Sequence, residues 1–245
     1  MKSRSKKDIL LSRRMQMVAD MVTVGNAAAD IGCDHGFVSI YLYEKHICPS
    51  VIAMDINQGP LLRAKEHITE RGLDSYIDVR LSDGMEKLGE NEADTVIIAG
   101  MGGRLVIRIL SAYMDKAKLL KELILQPQSE LHLVRRFLNE NGFLIVKEDM
   151  VEESGKYYPC IKAVWGKGQT DTLSETEEWY GPVLLKEKHP VLYQYLSKEK
   201  ANYEQIADKI SHRANGCQSE ETNEFTIQKR LQMTTAALAC FNGEV

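Results

Sequence analysis

The feature that most limits the fold of this chain is a short apolar run, Ala27 to Ile31, that passes directly into Gly32-Cys33-Asp34-His35-Gly36. A helical pattern resumes from Val38 to Tyr43, so a buried strand must turn into a helix within a few residues. Glycine permits such a turn because it lacks a Cβ, and it lets a ligand come close to the main chain. A strand followed by Asp30-x-Gly32-x-x-x-Gly36 is therefore a nucleotide-cofactor signal, with a ligand-free strand-to-helix turn as the alternative.

The alternation continues along the chain. Leu10 to Met21 predicts a first helix ahead of the loop. Val51 to Met54 predicts a second strand ending at Asp55, and Leu61 to Arg71 a helix closed by Gly72. Tyr76 to Leu81, Thr95 to Ala99 and Glu122 to Leu125 predict further strands, with helices over Arg104 to Tyr113 and Glu130 to Asn139. Phe143 to Glu148 and Pro159 to Trp165 are too close for a crossover helix and predict an antiparallel hairpin at the sheet edge. The expected class is α/β, with a doubly wound, mostly parallel Rossmann-like sheet. The closing hairpin marks its class I methyltransferase variant, whose ligands bind at the carboxyl ends of the strands.

Beyond Trp165 the composition shifts, and Gly181-Pro182 reads as a boundary. Leu192, Leu196, Tyr203, Ile206 and Ile210 fall on one helical stripe, and Ile227, Leu231 and Leu238 on a returning helix after Asn215-Gly216. This predicts a C-terminal helical hairpin of coiled-coil type, which could equally dock on the sheet, form a dimer or bind substrate. The expected division is residues 1–166 as the cofactor-binding domain and 167–245 as linker and helical domain.

The hydrophobic fraction of 44% and charged fraction of 27% fit a soluble globular chain, with no apolar stretch long enough for a membrane span or signal peptide. A cytoplasmic location is expected. The cysteines Cys33, Cys48, Cys160, Cys217 and Cys240 are scattered and odd in number, which points to reduced thiols without disulfides or a zinc site. No metal and no obligate protein partner are indicated. The net charge of -4 argues against general nucleic-acid affinity, yet Lys2, Arg4, Lys6, Lys7, Arg13 and Arg14 oppose only Asp8 at the start of the chain. That basic head could meet phosphate, or could simply be a solvated terminus.

Charge decides between cofactors. A pyrophosphate needs bare amide donors at a helix N-terminus, whereas this loop carries Asp30 and Asp34. S-adenosylmethionine instead presents an ammonium and a sulfonium, which acidic groups attract. Asp55, followed by Ile56, stands where a carboxylate can accept hydrogen bonds from ribose hydroxyls. Asp83-Gly84 can meet the adenine, with a helix cap as its structural alternative. The fourth strand runs into Gly100-Met101-Gly102-Gly103, a loop nearly free of side chains that leaves room for a flat substrate such as a nucleobase.

That loop lacks the Asn-Pro-Pro-Tyr type of sequence used on exocyclic amines. A ring nitrogen needs less help, because its in-plane lone pair is already nucleophilic and the enzyme must mainly align it and stabilise developing positive charge. Asp34 is the candidate for that role. His35 is a second candidate, with helix capping or packing as its structural alternative.

Taken together, Leu11-Ser12-Arg13-Arg14, Asp30-Ile31-Gly32-Cys33-Asp34-His35, Ile98-Ala99-Gly100-Met101-Gly102-Gly103 and Leu123-Ile124-Leu125-Gln126-Pro127-Gln128 resemble the TrmK family of bacterial tRNA adenine-N1 methyltransferases. The likeness extends through Gly155-Lys156-Tyr157-Tyr158 and Gly181 to Lys188. It implies methyl transfer from S-adenosylmethionine to N1 of adenine 22 in tRNA. On this basis Asp30, Gly32, Cys33, Asp34, Asp55, Ile56, Asp83, Gly84, Gly100 and Met101 hold the cofactor, and Asp34 lies at the catalytic centre. Cys33 stands where serine is common, Asp55 where glutamate can occur, and Gln128 where asparagine is frequent. N1 lies on the pairing edge, so the target adenine must be unstacked, at a cost of a few kcal/mol that phosphate contacts help offset. Lys6, Arg13, Arg14 and Arg104 are the expected RNA contacts, and Tyr157 could stack on a base or pack on an edge strand. Two other readings share these residues: a methyltransferase acting on a small molecule or protein, and a non-catalytic cofactor-binding adaptor.

Overall fold

The computed structural model describes residues 8–167, 172–211 and 218–242. These fall into two compact units, one within residues 1–171 and one within 172–245.

The first unit is built on a seven-stranded sheet. Its strands are β1 (Ala28–Ile31), β2 (Val51–Asp55), β3 (Ile77–Leu81), β4 (Thr95–Ala99), β5 (Glu122–Gln126), β6 (Phe143–Glu153) and β7 (Lys156–Trp165), in the order β3-β2-β1-β4-β5-β7-β6. The first five run parallel, and β7 is antiparallel to both β5 and β6. Strand order reverses between β1 and β4, and such a switch point opens a crevice at the strand ends.

The sequence dictates which strand is central. Every residue of β1 is buried, and Ala28 and Ala29 are small enough for helices to press on both sides. One face of the sheet is covered by α1 (Arg13–Asp20), α2 (Phe37–Glu44) and α3 (Gln58–Glu70). The other is covered by α4 (Gly103–Ala112), α5 (Met114–Leu119) and α6 (Leu131–Glu140). Ile97 and Ile124 enter the first layer, and Ile98, Leu110 and Leu123 the second. Each such side chain contributes roughly 1.5–3 kcal/mol by leaving water. Arg135 of α6 and Glu148 of β6 form a fully buried ion pair at 2.8 Å.

Four local differences from the sequence reading have physical causes. The helix expected from Leu10 begins at Arg13: Leu10 is exposed, and Ser12 accepts the Met15 N–H at 3.4 Å, which closes the first turn. The hairpin is longer than expected because Ser154 and Gly155 both adopt positive φ, 53° and 79°, and join the strands through a tight turn. Helix α5 was not foreseen, since six residues are too few to display a helical period. Within the boundary segment, Ser174 and Glu177 form a capping box that starts α7 (Glu175–Tyr180).

The second unit holds α7, α8 (Pro182–Lys186), α9 (Pro190–Ser211) and α10 (Gln218–Asn242). Leu192 and Leu196 of the predicted stripe are buried, while Ile206 further along is exposed. Glu199 joins the helices through polar contacts: it accepts from the hydroxyls of Tyr180 at 2.8 Å and Tyr195 at 2.7 Å, and from Thr234 at 3.3 Å. The predicted break at Asn215-Gly216, like Cys217 and Lys6, lies outside the described residues.

Candidate cofactor site

The carboxyl ends of β1, β2, β3 and β4 surround a cavity of about 490 Å³. All ten residues expected to hold the cofactor line it. The loop after β1 is tied to the neighbouring strand, since the N–H groups of Gly32 and Cys33 both donate to the Met54 carbonyl, at 2.8 and 2.9 Å. Gly32 sits at φ 77°, and a Cβ there would collide with the Met101 methyl group. Position 32 therefore favours glycine for its backbone angle, and a Cβ there would also push the Met101 side chain aside. Asp34 also adopts a left-handed angle, φ 48°, which aspartate tolerates better than most residues.

The carboxylates play different parts. Asp30 is buried beneath the loop and accepts from the Ser39 hydroxyl at 2.7 Å. Burial pushes its pKa up to about 6, with the Asp55 charge adding to the rise and the Ser39 bond opposing it. Asp55 ends β2 with one oxygen accepting the Asn57 N–H at 2.8 Å and the other facing the Asp34 N–H at 3.4 Å. Asp83 follows β3 and is half exposed, 3.3 Å from the Arg108 guanidinium. The Ser82 hydroxyl fixes that turn by donating to the Gly84 carbonyl at 3.0 Å. Asp34 is 66% exposed at the mouth, with Arg63 and His35 at 3.8 and 3.7 Å, beyond a short hydrogen bond. Its oxygens remain open to a substrate.

Cys33 lies in the cavity wall, and burial together with the Asp30 and Asp55 charges drives its thiol pKa far up. It is a packing group and a poor nucleophile. His35 lines the cavity, but its ring is stacked near Phe37 and His67, with centroids 5.6 and 5.9 Å away.

The expected RNA contacts separate. Arg14 enters the cavity wall, with its guanidinium 5.5 Å from the Tyr158 ring centre. Arg13 is exposed on α1, and Arg104 is exposed but paired with Glu130 at 2.7 Å. Tyr157 is half-buried on β7 and does not line the cavity; strand alternation turns its neighbour Tyr158 toward Arg14 instead. The sequence reading did not single out Phe37, Asn57, Ser82 and Arg108, which also line the cavity. Phe37, the first residue of α2 after the glycine loop, carried the one usable signal: a large apolar group that is 44% exposed.

Among the described residues no group of three or more His, Cys, Asp or Glu could hold a metal ion, and no helix is long and apolar enough to cross a membrane.

Comparison with known proteins agrees with this geometry. The TrmK family profile, described as tRNA (adenine(22)-N(1))-methyltransferase, matches residues 28–234. The chain is 36% identical to the tRNA (adenine(22)-N(1))-methyltransferase of Bacillus subtilis over 217 residues, covering 87% of this chain and 91% of that protein. Among solved structures, Streptococcus pneumoniae Sp1610 in complex with S-adenosyl-L-methionine superposes with a TM-score of 0.80 at 31% identity, covering 94% of this chain and 100% of that one. M. capricolum TrmK in complex with S-adenosyl-homocysteine gives a TM-score of 0.80 at 27% identity, covering 94% of this chain and 99% of that one. With its strand order, its acidic glycine loop and a profile match over most of its length, the chain belongs to the TrmK family of tRNA (adenine(22)-N(1))-methyltransferases.

Proposed function

We propose that this chain transfers a methyl group from S-adenosylmethionine to N1 of adenine 22 in tRNA, acting in the cytoplasm without a metal or an obligate protein partner. The observation that carries this reading is the convergence of acidic residues from three successive strand ends on one cavity, in a chain of this family. The donor set fits the cofactor: Asp55 offers acceptor oxygens for ribose hydroxyls, the buried Asp30 supplies negative charge beneath the loop, and Gly32 and Gly100 leave the main chain open to close approach. The cofactor supplies an electrophilic methyl on a cationic sulfur. An acidic cradle favours that charge and disfavours a pyrophosphate.

The protein's own share of the chemistry is alignment and charge. N1 of adenine needs no base to expose its lone pair, and methylation leaves the ring positively charged. Asp34, open at the mouth, can accept from the base and stabilise that charge as it forms. We assign Asp30, Gly32, Cys33, Asp34, Asp55, Ile56, Asp83, Gly84, Gly100 and Met101 to the cofactor. Lys6, Arg13, Arg14, Arg104 and Tyr157 are assigned to RNA contact.

The test is incubation with methyl-labelled cofactor and bulk tRNA or a protein extract in parallel, followed by mass spectrometry of the modified nucleoside. N1-methyladenosine mapped to position 22 is the expected result. Label found only in protein would overturn the assignment.

A further inference from the structure

Gln126 ends β5 with its side chain completely buried, and neither the cofactor nor the RNA assignment uses it. Its single carboxamide oxygen accepts two hydrogen bonds, from the Gly100 N–H at 3.2 Å and from Arg14 Nη1 at 3.4 Å. The first shares a Gly100 N–H that also donates to the Gln126 main-chain carbonyl at 3.1 Å; the second reaches a cation on α1. The amide nitrogen of Gln126 has no partner among the described residues. A buried donor left unpaired costs about 1–3 kcal/mol, so this residue is poorly explained by stability alone.

Arg14 is held from two further sides. Its guanidinium lies 5.5 Å from the centre of the Tyr158 ring, and its Nε is 4.0 Å from a Glu153 carboxylate oxygen. A guanidinium carries five N–H donors. Among the described residues its one hydrogen bond, to Gln126, is long, and Glu153 stands outside hydrogen-bond reach. The side chain is thus fixed in place with most of its donors unspent, and it is 26% exposed in the cavity wall. Gln128 also lies in that wall. Gly100 sits at φ 78°, and a Cβ on it would come within 3.8 Å of both Arg14 Nη1 and Gln128 Nε2. The missing side chain therefore leaves a slot bordered by donors of both residues.

We propose that this slot over Gly100 seats the target nucleotide of the RNA, with Arg14 donating to its phosphodiester and Gln126 acting as the positioning residue that holds Arg14. The inference rests on the tRNA methyl transfer proposed above. Phosphate is the matching group because methylation leaves the base positively charged, so a cation gains nothing at the reacting ring edge. A phosphodiester, by contrast, offers negative charge and paired acceptors that suit the guanidinium fork.

The test uses full-length protein, tRNA transcript and S-adenosyl-homocysteine as the cofactor-site probe. Arg14→Gln should raise the KM for tRNA about tenfold and lower the salt slope of RNA binding by about one, while probe affinity stays within about twofold. Gln126→Leu should raise KM in the same direction, and Gln126→Glu, which keeps an acceptor for both partners, should restore most of the loss. In the Arg14→Gln background Gln126→Leu should add little, because both changes remove one contact. A KM and salt slope unchanged in Arg14→Gln would overturn the proposal, and that variant alters no core residue, so it decides even if Gln126→Leu does not fold. Full additivity of the two changes, or equal loss in Gln126→Leu and Gln126→Glu, would overturn the positioning role. Wild-type protein that methylates no tRNA would overturn both this proposal and the activity it rests on.

Discussion

The hydroxyl of Ser39 donates a 2.7 Å hydrogen bond to the carboxylate of Asp30, tying the start of α2 to the strand beneath the cofactor loop. Burial nevertheless raises the Asp30 pKa from 3.8 to about 6. A raised carboxyl pKa means that the folded protein holds this proton more tightly than the unfolded chain. The stability contributed by Asp30 is therefore complete below about pH 4 and is lost as pH rises through about 6, with a magnitude of order 3 kcal/mol. A bound sulfonium reverses the preference by favouring the ionised form. Affinity for S-adenosylmethionine should fall severalfold between about pH 7.5 and about pH 5, more steeply than affinity for the uncharged-sulfur product S-adenosyl-homocysteine. Calorimetry across that range checks it, and parallel profiles for both ligands would remove Asp30 from cofactor recognition.

Asp34→Ala should lower methyl transfer by about a hundredfold in kcat, far more than it weakens cofactor binding, because its exposed carboxylate is placed to stabilise charge that appears only during reaction. Single-turnover methylation of tRNA measures it. Unchanged turnover would take Asp34 out of the mechanism.

Gly32→Ala combines a φ of 77° with a Cβ driven into the Met101 methyl group. Backbone strain of about 1–2 kcal/mol and a displaced Met101 side chain are expected. The melting temperature should drop by a few degrees, and probe binding should weaken more than tenfold. Trimming Met101 to Ala in the same chain relieves the clash but leaves the backbone strain, so recovery should be partial.

Arg135 and Glu148 are 1% and 0% exposed. Arg135→Met leaves a carboxylate buried without its main partner and should cost about 3–5 kcal/mol. Arg135→Met with Glu148→Leu should recover much of that. Chemical denaturation of the three variants decides it, and a harmless single change would mean that water reaches the site.

We expect residues 1–171 alone to fold and bind S-adenosyl-homocysteine, since the whole cavity and both core layers over the sheet belong to that unit. Circular dichroism and calorimetry on the truncated chain test this. A molten spectrum would assign the helical unit a share in stabilising the sheet.

By itself the sequence determined the sheet and the chemistry of its ends. Buried strands such as Val51 to Asp55 and the turn at Gly32 are written in local pattern, because apolar runs and glycines act within a few residues. So are Asp55 and Asp83, since the end of a strand fixes where its next carboxylate stands. The helix start at Ser12 turned on one local hydrogen bond rather than on apolar spacing, and α5 was too short to display a period. Only the tertiary structure decided which residues meet across distance. Gln126 and Arg14 are 112 positions apart, and nothing in either local sequence says that an amide at the end of β5 will hold a guanidinium from α1. Tyr158 faces Arg14 while Tyr157 does not line the cavity, because alternation along β7, set by its pairing with β5, turns the two rings to opposite faces. Pairing between distant strands, and the side-chain contacts that follow from it, form only when the whole sheet closes.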